Sequence, residues 1–144
     1  MRGSFIGHGE LWPDQGKLKH WWSQRPYKFT NNEVDPLTFL SSDGAQYQPD
    51  RHFSSDGGSI PIFIQAIPAF QHDRYFRSYL FHDSACIHKC VFVKYDILFI
   101  KQDISRHEAN FMLRDMLLAE GATMVTAQMV LAAVEMYAHA MRIE

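Results

Sequence analysis

The chain has 144 residues, with 14 Lys and Arg against 16 Asp and Glu, and 47% of its residues are hydrophobic. This length and hydrophobic fraction indicate one folded domain, residues 1–144, and exclude a disordered chain. The formal net charge of −2 argues against a protein that binds nucleic acid by neutralising phosphates. The longest apolar run, Met129–Val134, is far shorter than the ~20 residues of a membrane-spanning helix, so we expect no membrane span.

The first part, residues 1–61, predicts short strands separated by turns. Gly, Pro, Asn and Asp recur every few residues between short aromatic segments. The predicted strand segments are Phe5-Ile6, Leu11-Trp12, Trp21-Trp22, Tyr27–Phe29, Leu37–Leu40 and His52-Phe53. Thr30-Asn31-Asn32 and Ser42-Asp43-Gly44 indicate turns, because Asn and Gly tolerate positive φ. These segments predict a small antiparallel sheet.

The second part, residues 62–144, is mainly helical. Asp73 is a candidate N-cap for a first helix, with Tyr75, Tyr79, His82 and Cys86 on one face. Ser105 and Glu108 have the spacing of a capping box that opens a second helix, and Gly121 is a natural end for it. A third helix has an apolar stripe of Val130, Val134, Tyr137 and Met141.

The segment Val91–Ile100, between the first two helices, is rich in Val, Ile and Phe. It is either a β-hairpin or a continuation of the first helix, and we favour the hairpin. The predicted fold class is therefore α+β, with a small N-terminal antiparallel sheet packed against about three C-terminal helices.

The most specific motif is Asp56–Pro61, with the sequence Asp-Gly-Gly-Ser-Ile-Pro. Gly57 and its neighbour permit backbone conformations closed to other residues and let another group approach closely. Asp56 and Ser59 add polar side chains, so the segment is either a turn that links the sheet to the helices or a binding loop. The glycine spacing of phosphate-binding loops is missing.

His82 and Asp83 are adjacent in the first predicted helix. Neighbouring helical side chains diverge by ~100°, so Asp83 cannot orient His82, and Asp56 is the candidate carboxylate for the imidazole. His82 could then act as a general base, with Asp83 as a structural or metal-binding acid. The alternative is a buried polar cluster in which Arg106 neutralises Asp83.

Arg106 and Asn110 share one face of the second predicted helix, because they are one turn apart. The helix dipole is unfavourable for a cation near this helix start, so we expect Arg106 to have a specific partner. Asp83, Asp56 and a bidentate anionic ligand are the candidates. A solvated arginine is the alternative.

His82, Cys86 and Cys90 follow one another at four-residue spacing and would share one face of a continuous helix. Three such ligands could hold zinc, although structural zinc sites usually gather four ligands from loops. Small buried thiols are the simpler interpretation.

The order of these motifs resembles a phage-associated family of unknown function. Its pattern runs D-G-[AG]-S-[IV]-P, then H-D, then R-x-x-A-D, and the resemblance covers about Leu37–Tyr137. The residues on the pattern are Asp56, Gly57, Ser59, Pro61, His82, Asp83, Arg106 and Ala109. The chain departs from it at Asn110, where the pattern has Asp, and at Val91–Ile100, which resembles an insertion. Asn110 would weaken a catalytic or metal-binding acid, whereas it could replace an acid that only bonds Arg106 or caps a helix.

The His-Asp pair is also similar to a phospholipase A2 type of site. There the His is a general base, the Asp is a Ca²⁺ ligand, and a glycine-rich loop offers carbonyl groups. His82, Asp83 and the loop Asp56–Ser59 would take these roles. The chain lacks that site's disulfide framework and the cysteine before the His. Calcium or zinc is thus compatible with the sequence, and neither is required.

Three functional hypotheses follow. The first is a bacteriophage accessory protein, structural and associated with the virion or tail, in which the motif residues form an internal network and Trp21-Trp22 contributes to a contact surface. The second is a hydrolase of a host-envelope ester, amide or phosphodiester, with His82 as base, Asp56 orienting it and Arg106 stabilising negative charge. The third is an inhibitor of a host defence protein. We expect phage proteins, a host protein or a second copy as partners, in the virion or the infected bacterial cytoplasm.

Overall fold

The computed structural model describes the protein over residues 3–7, 9–13, 27–31, 34–50, 54–55 and 75–140. The strands in these ranges are β1 (Ser4–Ile6), β2 (Gly9–Pro13), β3 (Tyr27–Asn31), β4 (Thr38–Leu40), β5 (Gln46–Gln48), β6 (Ser54–Ser55), β7 (Cys90–Tyr95) and β8 (Leu98–Asp103). The helices are α1 (Phe76–His88), α2 (Arg106–Ala119) and α3 (Met124–Ala140). This is the predicted α+β arrangement. No helix within the described ranges is long and apolar enough to cross a membrane.

The larger sheet has five antiparallel strands in the order β1-β4-β5-β7-β8. The hairpin predicted over Val91–Ile100 is confirmed as β7 and β8, which turn at Asp96 with φ 61°. Tyr47 of β5 pairs with Val93 of β7. The hairpin therefore completes the N-terminal sheet, so the sheet draws on both parts of the chain.

A smaller sheet has the order β2-β3-β6, and its strands are also antiparallel. The turn expected at Thr30-Asn31-Asn32 is wrong for its first two residues, which belong to β3, and Asn32 lies outside the described residues. The buried Asn31 side chain instead bridges separate segments: its Oδ1 accepts a bond from the Leu37 amide at 2.9 Å, and its Nδ2 donates to the Asp50 carbonyl at 3.1 Å. Trp21-Trp22 and His52-Phe53 lie outside the described residues.

The turn at Ser42-Asp43-Gly44 is confirmed between β4 and β5. Gly44 has φ 92°, which glycine adopts readily, and the Ser41 carbonyl accepts a bond from its amide at 3.0 Å. The Asp43 carboxylate accepts a bond from the Ala45 amide at 3.1 Å, which completes a local side-chain turn.

Helix α1 ends earlier than the cysteine spacing predicts. Lys89 adopts a left-handed conformation with φ 55° after His88, and Cys90 is the first residue of β7. A shared helix face for His82, Cys86 and Cys90 is therefore wrong. The predicted N-cap, Asp73, lies outside the described residues, and Tyr75 precedes the helix without a side-chain capping bond.

Helix α2 begins and ends where the sequence predicts. Ser105 Oγ accepts a bond from the Glu108 amide at 3.1 Å, and Glu108 Oε1 accepts one from the Ser105 amide at 3.2 Å, which is a full capping box. At the other end Gly121 has φ 95°, and the Ala122 amide donates back to the Leu117 carbonyl at 3.0 Å.

One hydrophobic core lies between the larger sheet and the helices, with α2 packed against both α1 and α3. The stripe predicted for α3 is buried at Val130 and Val134. The core residues from the described ranges are Leu37, Phe39, Tyr75, Tyr79, Leu80, Phe81, Ala85, Val91, Val93, Ile104, Ala109, Leu113, Met116, Leu117, Ala122, Ala127, Val130 and Val134.

Glu120, directly after α2, caps the start of α1. Its Oε1 accepts bonds from the Ser78 amide at 2.7 Å and the Ser78 hydroxyl at 2.6 Å, and Arg77 lies 3.4 Å from Oε2. Ser78 is in the first turn of α1, where amides have no partner within the helix. Burial raises the pKa of Glu120, and the bonds from Ser78 and Arg77 oppose that rise.

Replacing Glu120 with Ala should lower the free energy of unfolding by about 2 kcal/mol, because the Ser78 amide and hydroxyl would lose their acceptor. Glu120→Gln keeps an acceptor and should cost less. Since the pKa of Glu120 is raised in the folded state, the wild type should gain stability relative to Glu120→Gln as the pH falls towards 4.5, its ordinary value. Urea unfolding over a pH series measures both effects. A loss no larger than that of the exposed variant Asp115→Ala would contradict the capping role.

Candidate functional site

The side chains of His82 and Asn110, both candidate site residues from the sequence, meet between α1 and α2. His82 lies in the middle of α1 and Asn110 in the first turns of α2, and both side chains are 0% exposed. His82 Nε2 lies 2.6 Å from Asn110 Oδ1. Because a carboxamide oxygen only accepts, Nε2 donates its proton to Asn110. This bond joins α1 to α2 inside the core.

The His82 ring is neutral at neutral pH. The pKa of His82 is lowered to about 4: burial is the main cause, the bond to Asn110 opposes it, and the positive charge of Arg106 adds to the fall. A desolvated imidazole is most stable without charge, which explains the direction. A neutral imidazole could accept a proton, but this ring has no exposed surface for a substrate or water.

Cys86 does not form a catalytic triad with these two residues. Its Sγ lies 3.4 Å from His82 Nε2, the ring nitrogen that also bonds Asn110. A thiol–imidazole–amide triad needs the thiol and the amide on different ring nitrogens. Burial also raises the pKa of Cys86 to about 12, so the sulfur is a thiol and not a nucleophilic thiolate.

The zinc expectation has no support in the described part of the chain. Cys90 lies on β7 rather than on the face of α1, and burial raises the pKa of its thiol. Within the described ranges, no three His, Cys, Asp or Glu side chains converge to hold a metal ion.

Asp83 is almost fully buried in α1, with 1% of its surface exposed. A buried carboxylate requires partners, which fits the buried-cluster interpretation of the motif. Asp56, the expected partner of the His82 ring, and the other loop candidates, Gly57 and Ser59, lie outside the described residues. The orientation of His82 by Asp56 and a calcium-binding loop therefore stay predictions.

Arg106 and Asn110 line the same cleft, as their spacing predicts. The cleft has a volume of about 430 Å³ and lies between the start of α2 and the end of α3. Its lining residues are Ser105, Arg106, His107, Asn110, Glu135, Ala138 and His139. Asn110 thus separates two environments, with His82 on the core side and the cleft on the other.

The sequence motifs do not indicate which residues of α3 line the cleft. His107 Nδ1 lies 2.7 Å from Glu135 Oε1, which links α2 to α3. The Phe111 ring packs edge-on against His107 with ring centres 4.7 Å apart, and the Arg114 guanidinium lies 5.2 Å from the centre of the Phe111 ring. Helical spacing indicates that His107 and Phe111 are neighbours, but it cannot indicate which residue of α3 lies opposite them.

This geometry defines a class of protein: an α+β domain in which a buried polar pair joins two helices beside a cleft. The chain belongs to the DUF1353 family, a protein family of unknown function whose model matches residues 34–134. The match includes the larger part of the described fold, His82, Asp83 and Asn110. No curated protein and no solved structure matches the chain significantly.

The burial of His82 predicts acid sensitivity of the fold. A pKa of 6.5 in the unfolded chain and about 4 in the folded protein corresponds to about 3 kcal/mol of stability. This stability is complete above pH 6.5 and is lost as the pH falls from 6.5 through 4. Urea unfolding of the wild type and His82→Gln over this range should show a shallower loss in the variant. Equal slopes for His82→Gln and the wild type would contradict the assignment.

Proposed function

We propose that the protein is a structural or interaction component of a bacteriophage particle, associated with the virion or tail. The observation that carries this proposal is the burial of the polar motif: His82, Asp83 and Asn110 are 0%, 1% and 0% exposed. A general base must contact its substrate or a water, whereas a sealed network fixes the positions of helices. The resemblance of the motif order to a phage-associated pattern supplies the biological setting.

Exposed apolar side chains are compatible with an interaction role. Val125, Met129 and Met136 are exposed on α3. Tyr95, Ile97 and Leu98 are exposed at the tip of the hairpin formed by β7 and β8. Clusters of exposed apolar side chains are typical of surfaces that contact other proteins. Trp21-Trp22, the contact surface expected from the sequence, lies outside the described residues.

Mass spectrometry of purified particles, compared with a pull-down from infected cells, tests the biological setting. We expect the chain in particles at a stoichiometry that matches a virion component. Its absence from particles would contradict the proposal. Capture of one host protein in that case would favour the third hypothesis, an inhibitor of a host defence protein.

His82→Ala tests the structural role of the network. The change should lower the free energy of unfolding by about 2–4 kcal/mol, because it leaves a cavity and removes the donor to Asn110 Oδ1. Particle assembly with the variant should be impaired in parallel. His88→Ala, at the exposed end of α1, is the control and should reduce stability and assembly much less than His82→Ala. Full stability of His82→Ala would remove the central support for the proposal.

A hydrolase is the second candidate, and one observation favours it. The position that carries Asp in the resembled pattern is Asn110, and Asn110 is the residue that contacts His82 Nε2. A carboxylate there would hold the imidazole and stabilise its protonated form, as the acid of a catalytic His-Asp pair does. In this chain the amide keeps the orienting bond without the charge.

Asn110→Asp tests the second candidate. Wild type and variant are assayed on ester, amide and phosphodiester substrates and on phospholipid vesicles, with and without Ca²⁺. A hydrolase whose acid has been replaced should gain at least tenfold in rate when Asp is restored, and His82→Gln should abolish that gain. Rates at background in every variant would exclude the hydrolase and leave the structural proposal intact.

A further inference from the structure

Two residues that line the cleft between α2 and α3 each carry a buried polar atom with unused hydrogen-bonding capacity. One is a donor, Nδ2 of Asn110, whose Oδ1 already accepts the bond from His82. The other is an acceptor, Oε1 of Glu135. Both atoms are closed to solvent, and neither has a hydrogen-bond partner among the residues that the structure describes. Unpaired buried polar atoms are unfavourable, so native proteins keep few of them without a use.

His107 is close to Glu135 Oε1 but does not satisfy it. Its Nδ1 lies 2.7 Å from Oε1, yet the ring N–H is not aligned with the oxygen as a hydrogen bond requires. The His107 side chain is 68% exposed, compared with 31% for Glu135. Because exposed side chains change rotamer readily, His107 is the side chain that can turn outward and open the approach to Oε1.

A donor and an acceptor on the same cleft restrict the chemistry of a ligand. An anion would leave Glu135 Oε1 without a donor and would be repelled by its carboxylate, while a cation would leave Asn110 Nδ2 without an acceptor. A primary carboxamide satisfies both atoms, because its oxygen accepts and its NH₂ group donates. Arg106 also lines the cleft but already has an interaction partner, and the carboxamide needs no bond from it.

We propose that this cleft binds a primary carboxamide, whose oxygen accepts a bond from Asn110 Nδ2 and whose NH₂ group donates to Glu135 Oε1. The bond to the carboxylate is charge-assisted and is therefore the stronger of the two. The cleft volume of about 430 Å³ is many times that of one water and accommodates the amide with a short hydrocarbon chain, for which Ala138 offers an apolar contact. The phage role proposed above does not depend on this site.

Two-dimensional ¹H–¹⁵N NMR of the full ¹⁵N-labelled chain tests the proposal at the atoms themselves. Propionamide should shift the Asn110 side-chain NH₂ signals saturably, with a Kd on the order of millimolar for so small a ligand. Propionate lacks the donor, propylammonium lacks the acceptor, and 1-propanol carries both on one atom, so each should bind about tenfold more weakly or worse. No saturable shift with propionamide, or an equal affinity for any of the other three compounds, overturns the proposal.

One variant and a matched control locate the site. Glu135→Ala removes the acceptor and should weaken propionamide binding by about tenfold or more. Asp115→Ala removes a carboxylate from an exposed position on α2 and should leave the Kd within about twofold of the wild type. Asn110 is kept intact because its replacement would also break the bond to His82. Undiminished affinity in Glu135→Ala, or an equal loss in Asp115→Ala, would overturn the site.

Discussion

The bond between His82 and Asn110, sealed between α1 and α2, is the constraint on which the rest of the structure depends. An imidazole with no exposed surface must be neutral and hydrogen-bonded, and Asn110 supplies that bond at 2.6 Å. The contact fixes how α1 lies against α2. Glu120 adds a second polar contact between the same helices, where it caps the start of α1. Because β7 and β8 connect these helices and complete the larger sheet, both polar contacts also position the sheet.

The same constraint leaves the His82 ring, the candidate general base, with no exposed surface. Burial that keeps His82 neutral also keeps Cys86 a thiol, so at neutral pH His82 is not an acid and Cys86 is not a thiolate nucleophile. His82 and Asp83 are buried polar side chains in the described geometry. Asn110 differs from both, since it contacts His82 on one side and lines an open cleft on the other. Position 110 therefore connects the surroundings of His82 with the cleft between α2 and α3.

Where a few adjacent residues are enough to define an element, the sequence predicted that element correctly. Ser105 and Glu108 define the start of α2 because they bond each other's amides, and Gly121 defines its end because it adopts positive φ without strain. The hairpin over Val91–Ile100 follows from its β-branched and aromatic residues. Two predictions from the sequence were wrong because contacts with residues distant along the chain determine the local conformation. Asn31 bridges Leu37 and Asp50 instead of forming a turn, and α1 ends at His88, because Cys90 pairs with Asp103 in the sheet.

The sequence by itself determined the α+β class, both ends of α2, the hairpin and the face that Arg106 shares with Asn110. These features depend on spacings of a few residues along one chain segment. Only the tertiary structure decided that Asn110 is the partner of His82, 28 residues away, and that Glu120 caps a helix 42 residues before it. Local periodicity indicates which side chains share one face of a helix, but not which other element packs against that face. The choice of partner depends on how α1, the hairpin and α2 pack, and packing is set by the whole core at once.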